Sequence, residues 1–260
     1  MKSNFTDNTE KEDIDNIRYD SNGLSSIKSP RLKINRRCDR VKALQTNVRS
    51  LVKGTKRKEL QNLIQLNDIA ILGITESWGR PDISDSDFDF PGFDLIRKDR
   101  SVVSDKKRGG VALFIKTNLL SSPIEELNSM KCESVWAEVF VSNRYIIVGV
   151  CYCSPAADKK EIMKLFECIR MATSRDLSMV IMGDFNYWEI NWSDLKGDLG
   201  HEFVTLVLDC HLKQTVHKPT RQYNILDLVL VNKIKVVNLE ILPPVDNCDH
   251  NVLIWEIVDN

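Results

Sequence analysis

The chain has 260 residues, 42% hydrophobic and 28% charged, with a formal net charge of -1 at pH 7. That length accommodates one large or two small domains with a sizeable core, and the near-zero charge excludes a global field that would draw it to a polyanion, so a nucleic acid must be met by a local patch. The opening "MKSNFTDNTEKED" has no apolar secretory core, and runs such as "YIIVGVCYC" are too short to cross a bilayer, so a soluble, intracellular, unsecreted protein with no membrane partner is expected.

Residues 1–40 read as a disordered, basic tail. Apolar residues are sparse there, with acids early (Asp7, Glu10, Glu12, Asp13, Asp15) and bases later (Lys28, Arg31, Lys33, Arg36, Arg37, Arg40). Such a segment buries too little apolar surface to offset its ordering entropy. Its basic part suits a solvated linker, a phosphate contact or a nuclear address.

From Val41 to residue 260 a single folded domain is expected. "VKALQT" is a short strand, and "TKRKELQNLIQL" puts Leu60, Leu63 and Ile64 on one helical face. "DIAILGITES" is an almost continuous apolar run, the pattern of a strand covered on both sides. "GGVALFIK", "SVWAEVFV" and "RYIIVGVCYC" follow as strands. "DKKEIMKLFECIRMA" is an amphipathic helix with Asp158 as N-cap and Ile162, Leu165, Phe166 and Ile169 inward. "LSMVIMGD" is another buried strand, and "DLGHEFVTLVLDC" a helix with Phe203, Leu206 and Val207 on its core side. "LDLVLVN", "VVNLEIL" and "NVLIWEIV" end the chain as strands. Many strands, few helices and no internal linker predict one α/β domain with stacked sheets. The seven cysteines contain no C-x-x-C pair and share no zinc spacing with the four histidines; they read as reduced thiols.

Polar residues recur at the ends of these strands: Asn47, Glu76, Tyr152, Asp184 and Asn186 in "GDFN", Asp227, and Asp249 with His250. If the strands lie side by side, their ends form one rim, where ligands of α/β sheets bind. The set holds no nucleophilic Ser or Cys with a base partner and no Gly-rich phosphate loop. Its chemistry suits phosphodiester hydrolysis. Glu76 offers a carboxylate to Mg²⁺. Asp184 is a candidate to orient and deprotonate water, with Asn186 fixing its geometry. Protonated His250, Asn47 and the Tyr152 hydroxyl are candidate donors to developing charge, and Asp227 would keep His250 protonated. Plainer readings stand beside each. "GDFN" suits a strand-ending turn, Asp249–His250 a turn before the last strand, Tyr152 a core position with a wet hydroxyl, and Glu76 a surface position. Asp227, flanked by Leu226 and Leu228, is costly to bury unless paired or bound.

The pieces "TNVRSL", "ILGITESW", "RGGVALFIK", "ESVWAEV", "VGVCYCSP", "IMGDFNYWEINW", "HKPTRQYNILDLVLVN" and "CDHNVLIWEI" occur in that order over 43–257. The chain thereby resembles the endonuclease/exonuclease/phosphatase superfamily, and more narrowly the apurinic-type endonuclease domain of non-LTR, LINE-like retrotransposons, which accompanies a reverse transcriptase. The resemblance implies a four-layer α/β sandwich, two mixed β-sheets packed face to face with helices outside, and Mg²⁺-dependent (Mn²⁺ as alternative) nicking of double-stranded DNA by a monomer in the nucleus. It implies that Asn47 orients the phosphate and the aspartate, Glu76 binds metal, Tyr152 contacts the phosphate, Asp184 activates water placed by Asn186, and His250, held by Asp227, stabilises the transition state. Asp249 would lie beside the metal or the phosphate, and Thr220 near the phosphate. Two departures stand out. Arg49 occupies the place of a second acidic residue in repair-type relatives, leaving metal affinity mainly to Glu76. Cys248 replaces the usual Ser before Asp–His, a weaker donor.

Basic loops around the rim, "KGTKRKE" (Lys53, Lys56, Arg57, Lys58) and "IRKDRSVVSDKKRGG" (Arg97, Lys98, Arg100, Lys106, Lys107, Arg108), suit DNA phosphates or plain solvation; Arg57 and Arg108 are the expected substrate contacts. Trp188 and Trp192 are expected to pack rather than wedge near a base. The alternatives are an abasic-site repair nuclease, another phosphodiesterase of the superfamily, and an inactive copy kept as a DNA-binding module.

Overall fold

The structure, a computed structural model, describes residues 40–52, 54–103, 108–195 and 199–258. Of the expected tail only Arg40 is among them, and Lys53, Lys106 and Lys107 lie outside them.

The elements in chain order are β1 (Val41–Asn47), α1 (Gly54–Asn67), β2 (Ile71–Thr75), a 3-10 turn (Asp85–Phe88), β3 (Phe93–Lys98), α2 (Arg100–Val103), β4 (Val111–Lys116), β5 (Ser121–Pro123), α3 (Glu125–Asn128), β6 (Ser134–Val141), β7 (Arg144–Tyr152), α4 (Lys159–Thr173), β8 (Ser178–Asp184), α5 (Glu202–Asp209), β9 (Lys213–Gln214), β10 (Asp227–Asn232), β11 (Lys235–Leu242) and β12 (Val252–Val258). They form two mixed six-stranded sheets, β11-β12-β1-β2-β4-β3 and β5-β6-β7-β8-β10-β9. Each sheet has one parallel pair, β1 with β2 and β7 with β8, joined through α1 and α4 respectively. The remaining pairs are antiparallel.

Strand periodicity builds the layers. Alternate side chains leave opposite faces of a strand, and here both faces are apolar. Ala43, Ile71, Leu113, Val148, Val180 and Val229 fill the space between the sheets. Their neighbours Leu44, Leu72 and Phe114 pack with Leu60 and Ile64 of α1. On the other side Ile147, Ile181 and Leu230 pack with Leu165, Phe166 and Ile169 of α4 and Phe203 and Val207 of α5. The result is helix, sheet, sheet, helix: the four-layer sandwich expected from the resemblance. Helix α4 starts where Asp158 predicts, as a full capping box: Asp158 accepts from the Glu161 N–H and Glu161 reaches back to the Asp158 N–H. In α1, Leu60 and Ile64 are buried as expected, while Leu63 is half-buried.

The strand β3 was legible only as a basic loop. Its "FDLIRK" does not alternate cleanly, because it is an edge strand paired on one side to β4. The two-residue β9 and three-residue β5 are too short to show a period.

The pairing of β7 with β8 depends on a close approach at Gly183 in β8. Its φ is +149°, and a Cβ there would lie 1.8 Å from the Cys151 carbonyl oxygen of β7. We predict that Gly183→Ala lowers stability by roughly 3 kcal/mol or more, the sum of backbone strain and overlap. Gly200, where a Cβ meets nothing within 4 Å, is the control. Thermal unfolding of the two variants checks this, and equal melting temperatures would refute it.

Candidate active site

Register brings the strand ends together. Asn47 at the end of β1 lies beside Thr75, which precedes Glu76. Tyr152 at the end of β7 lies beside Asp184 at the end of β8. Asp184 in turn faces Asp227, the first residue of antiparallel β10, and His250 sits just before β12. Residues spread over two hundred positions thus share one edge of the sandwich.

Side chains cross between the two sheets at this edge. The Asn47 amide donates to Asp184 Oδ2 at 2.8 Å and to Glu76 Oε1 at 3.0 Å. Tyr152 donates its hydroxyl to Glu76 Oε1 at 3.1 Å, and Trp78 Nε1 donates to Glu76 Oε2 at 3.1 Å. Gln45 Nε2 donates to Asp227 Oδ1 at 3.0 Å. Asn186 donates its backbone N–H to Asp184 Oδ1 at 3.2 Å and its amide to the Cys153 carbonyl at 3.1 Å. Backbone φ is positive at Arg49, Glu76, Trp78 and Asn186. Left-handed backbone at non-glycine residues costs of order 1–3 kcal/mol each; in this chain it occurs at these rim positions and also at turns elsewhere, such as Asn143 and Lys233.

Asp184, Asp227 and His250 form a buried cluster, with one ligand atom of each within 4.8 Å of the others. His250 Nδ1 contacts Asp227 Oδ2 at 2.8 Å, and Nε2 lies 3.8 Å from Asp184 Oδ2. Burial works against a charged imidazole here. The adjoining Asp227 charge and hydrogen bond, helped by Asp184, overcome it and raise His250 to about 9. The contact therefore reads as Nδ1–H donating to the carboxylate. Asp184 is raised as well, first by burial and then by the Asp227 charge, against the pull of His250 and Asn47. The Tyr152 hydroxyl is pushed far up, by burial first and then by Glu76, so it stays a neutral donor.

The remaining expected site residues take different places. Asp249 lies in an ion-pair network, 2.7 Å from Arg221 and 3.5 Å from Arg49, outside the three-residue cluster. Thr220 is fully buried; its hydroxyl accepts from the Leu226 and Asp227 N–H groups at 3.0 Å, fixing the start of β10. Arg108 stacks over Trp78, 4.9 Å from its ring centroid, and so stands at the mouth beside the group that holds Glu76. Arg57 gives its guanidinium to the Asp87 carbonyl. Cys248 donates to the Val48 carbonyl at 3.1 Å, a loop tie.

The wider basic loop is corrected by the structure. Lys98 and Arg100 are buried, Lys98 donating to the Met130 carbonyl at 2.9 Å and Arg100 paired with Glu133 at 3.2 Å. Arg97 pairs with Asp85 at 2.6 Å and lies over the Phe88 ring. These charges are spent inward. Trp188, expected to pack, is 72% exposed, whereas Trp192 is partly buried and meets Phe203 edge-on at 6.1 Å.

Gln45 and Trp78 escaped the sequence reading. The signal for Gln45 was its polarity in an apolar strand two residues before Asn47, hence on the same face. Trp78 stands two residues after Glu76, in a stretch with no period to read.

Residues 146–254 match the model of a family described as endonuclease-reverse transcriptase. No curated protein sequence matches the chain. Among solved structures, the endonuclease domain of TRAS1, a telomere-specific non-LTR retrotransposon, superposes with a TM-score of 0.63 at 16% identity, covering 84% of this chain and 98% of that one. An AP endonuclease from Leishmania major gives a TM-score of 0.63 at 12% identity over 85% of this chain and 89% of its own. An endonuclease/exonuclease/phosphatase family protein from Bacteroides thetaiotaomicron gives 0.58 at 13% identity over 85% and 98%.

The two raised pKa values act with one sign. The folded state binds more protons at His250 and Asp184 than the unfolded chain does, so stability falls as pH rises. The His250 contribution is complete below its ordinary 6.5 and is lost as pH climbs through about 9. We predict that Asp227→Asn lowers the His250 pKa by roughly 1–3 units and flattens the stability loss over that window. An NMR titration of the imidazole reads this directly; an unmoved midpoint would refute the pairing.

Proposed function

We propose that this chain, whose fold is that of the endonuclease/exonuclease/phosphatase superfamily, is a metal-dependent endonuclease that nicks one strand of double-stranded DNA by water attack on a phosphodiester, as a monomer and in the manner of a non-LTR retrotransposon domain. One observation carries the reading: a buried carboxylate of raised proton affinity, Asp184, is held by the Asn47 amide and the Asn186 N–H beside a protonated His250 and a solvent-reachable Glu76.

Asp184 accepts the proton of the attacking water; its two held oxygens fix the direction of approach, and its raised affinity brings it nearer the working pH than an ordinary Asp. Asn186, anchored on the Cys153 carbonyl, keeps the Asp184 carboxyl from rotating. His250 stays cationic to about pH 9 and donates to the phosphate oxygen on which charge develops. Asp227, clamped by Gln45 and Thr220, holds that imidazole. The Tyr152 hydroxyl and the Asn47 amide hold Glu76 Oε1.

The donors present fit a hard cation. Glu76 is partly open to solvent, and Asp249 keeps Oδ1 buried with no hydrogen-bond partner; carboxylate oxygens of this kind suit Mg²⁺ or Mn²⁺. By contrast the Asp184–Asp227–His250 trio already holds a proton on His250 between its two carboxylates. Bound at Glu76, the cation would supply Lewis-acid polarisation of a phosphate oxygen. The substrate assignment draws on the family match and on the retrotransposon endonuclease among the similar structures, and a nuclear place of action follows from it.

Supercoiled plasmid with Mg²⁺ is expected to become open circles, and EDTA to stop the conversion; equal conversion in EDTA would discard the cation. Asp184→Asn and His250→Gln should each slow nicking by roughly 10²-fold or more. Gln is chosen at 250 because its amide keeps volume and a donor for Asp227 that an alanine would lack; either change removes the counter-charge of the two buried carboxylates, a loss of about 3–5 kcal/mol, so folding is checked by thermal unfolding. A folded variant nicking at the parent rate removes that residue from its role. An abasic duplex cut far faster than intact DNA would assign a repair nuclease, and binding without cutting an inactive copy.

A further inference from the structure

At the mouth of the site, two guanidinium groups converge on one carboxylate oxygen. Arg221 Nη2 lies 2.7 Å from Asp249 Oδ2, and Arg49 Nη1 lies 3.5 Å from the same atom. The three side chains are 36%, 46% and 33% exposed. The group is therefore neither a buried staple nor a fully solvated surface pair.

Each member is one or two residues from a group that holds the reactive centre. Arg49 follows Asn47 and gives its backbone N–H to the Asn47 amide oxygen at 3.2 Å. Its own carbonyl is tied by Lys56 at 3.2 Å, and its φ of 43° turns the chain sharply there. Arg221 follows Thr220, whose hydroxyl fixes the start of β10. Asp249 precedes His250. Any shift of the pair relative to Asp184 and His250 must bend three separately anchored loops.

The charges add to one positive unit, two guanidiniums against one carboxylate. Burial alone would push Asp249 toward neutrality, but Arg221, His250 and Arg49 outweigh it and lower its pKa, so it stays an anion. A guanidinium has five N–H donors in a planar fork, and Asp249 is the partner of both arginines in these ion pairs. Donors remain on each fork. Paired forks of this kind match the geometry of phosphate oxygens. Among the described residues, Arg108 stands singly over Trp78, Lys98 and Arg100 are turned into the core, and Arg97 and Arg57 are committed to the 83–88 segment.

We propose that Arg49 and Arg221, pinned side by side by Asp249, form a clamp for a non-bridging oxygen of the substrate phosphodiester and place that phosphate against Asp184 and His250. The clamp rests on the hydrolase reading above for its substrate, and supplies fixed positive charge at a point where an acidic residue would instead require a cation. It acts as a pair of positioning residues, orienting the phosphate and adding charge complementarity at the same time.

Two measurements separate this from a merely structural tie. The first is binding of a short labelled DNA duplex in EDTA, where no cutting occurs, over a range of salt. Arg49→Gln and Arg221→Gln are each expected to weaken binding roughly 10-fold and to reduce the salt slope by about one ion. The second is plasmid nicking with Mg²⁺. Arg49→Lys and Arg221→Lys keep the charge and lose the fork, so binding and salt slope should stay near the parent while turnover falls roughly 10-fold. Melting temperatures within a few degrees of the parent show that the fold is intact.

Parent-like binding and nicking in both Gln variants overturns the clamp. So does weakened function that tracks a lowered melting temperature in the Lys and Gln variants alike. Should the parent protein itself fail to nick, the hydrolase reading is lost, while the salt-dependent binding arm still decides whether these two arginines take phosphate.

Discussion

Two buried carboxylates face each other across adjacent strands, and one imidazole stands between them. Asp184 and Asp227 are register partners, each fully buried. Like charges so placed in a low-dielectric interior would repel by several kcal/mol. His250 resolves this by keeping its proton, touching Asp227 at 2.8 Å and lying 3.8 Å from Asp184. The amides of Gln45 and Asn47, from the opposite sheet, take up one oxygen of each carboxylate. The arrangement is weak as a device for stability, since apolar side chains of the same volume would serve better. In the proposed function it holds one carboxylate as a proton acceptor and one imidazolium as a donor.

The same hydrogen bonds set how the two sheets meet. Gln45 to Asp227, Asn47 to Asp184 and Tyr152 to Glu76 each join a residue of one sheet, or of the loop leaving it, to a residue of the other. Between the sheets the core is apolar, with close approaches such as Gly73 against Met182 and further polar ties from Lys98 to the Met130 carbonyl and from Arg100 to Glu133. At the rim the polar bonds specify one alignment. Site geometry and sheet packing are therefore one constraint, and the strain at Glu76, Trp78 and Asn186 is carried by loops that the sheets hold from both sides.

Where each charge goes is set by tertiary contacts more than by sequence neighbourhood. Arg97, Lys98 and Arg100 belong to one basic stretch, yet all three are spent on partners inside the molecule. Arg49, Arg108 and Arg221 come from three separate segments and face the opening, the first and last through Asp249 and the second over Trp78. A near-neutral chain thus carries its positive potential where loops converge.

The amino-acid sequence by itself determined the layers and the chemistry available. Doubly apolar strands such as "ILGIT" and "SMVIMGD", and the capped amphipathic α4, are local patterns whose period announces which faces must be covered, and they specify a sandwich. Glu76, Asp184, Asn186, Asp227 and His250 were legible because polar groups at the ends of such strands are costly without a purpose. What only the tertiary structure decided is who pairs with whom. Gln45 and Trp78 matter through residues far away in the chain, Thr220 turns inward to hold Asp227, Asp249 joins two arginines, and "FDLIRK" becomes an edge strand. None of these follows from periodicity, because hydrogen bonds and ion pairs are settled by the register and approach of strands that the sequence keeps up to two hundred residues apart.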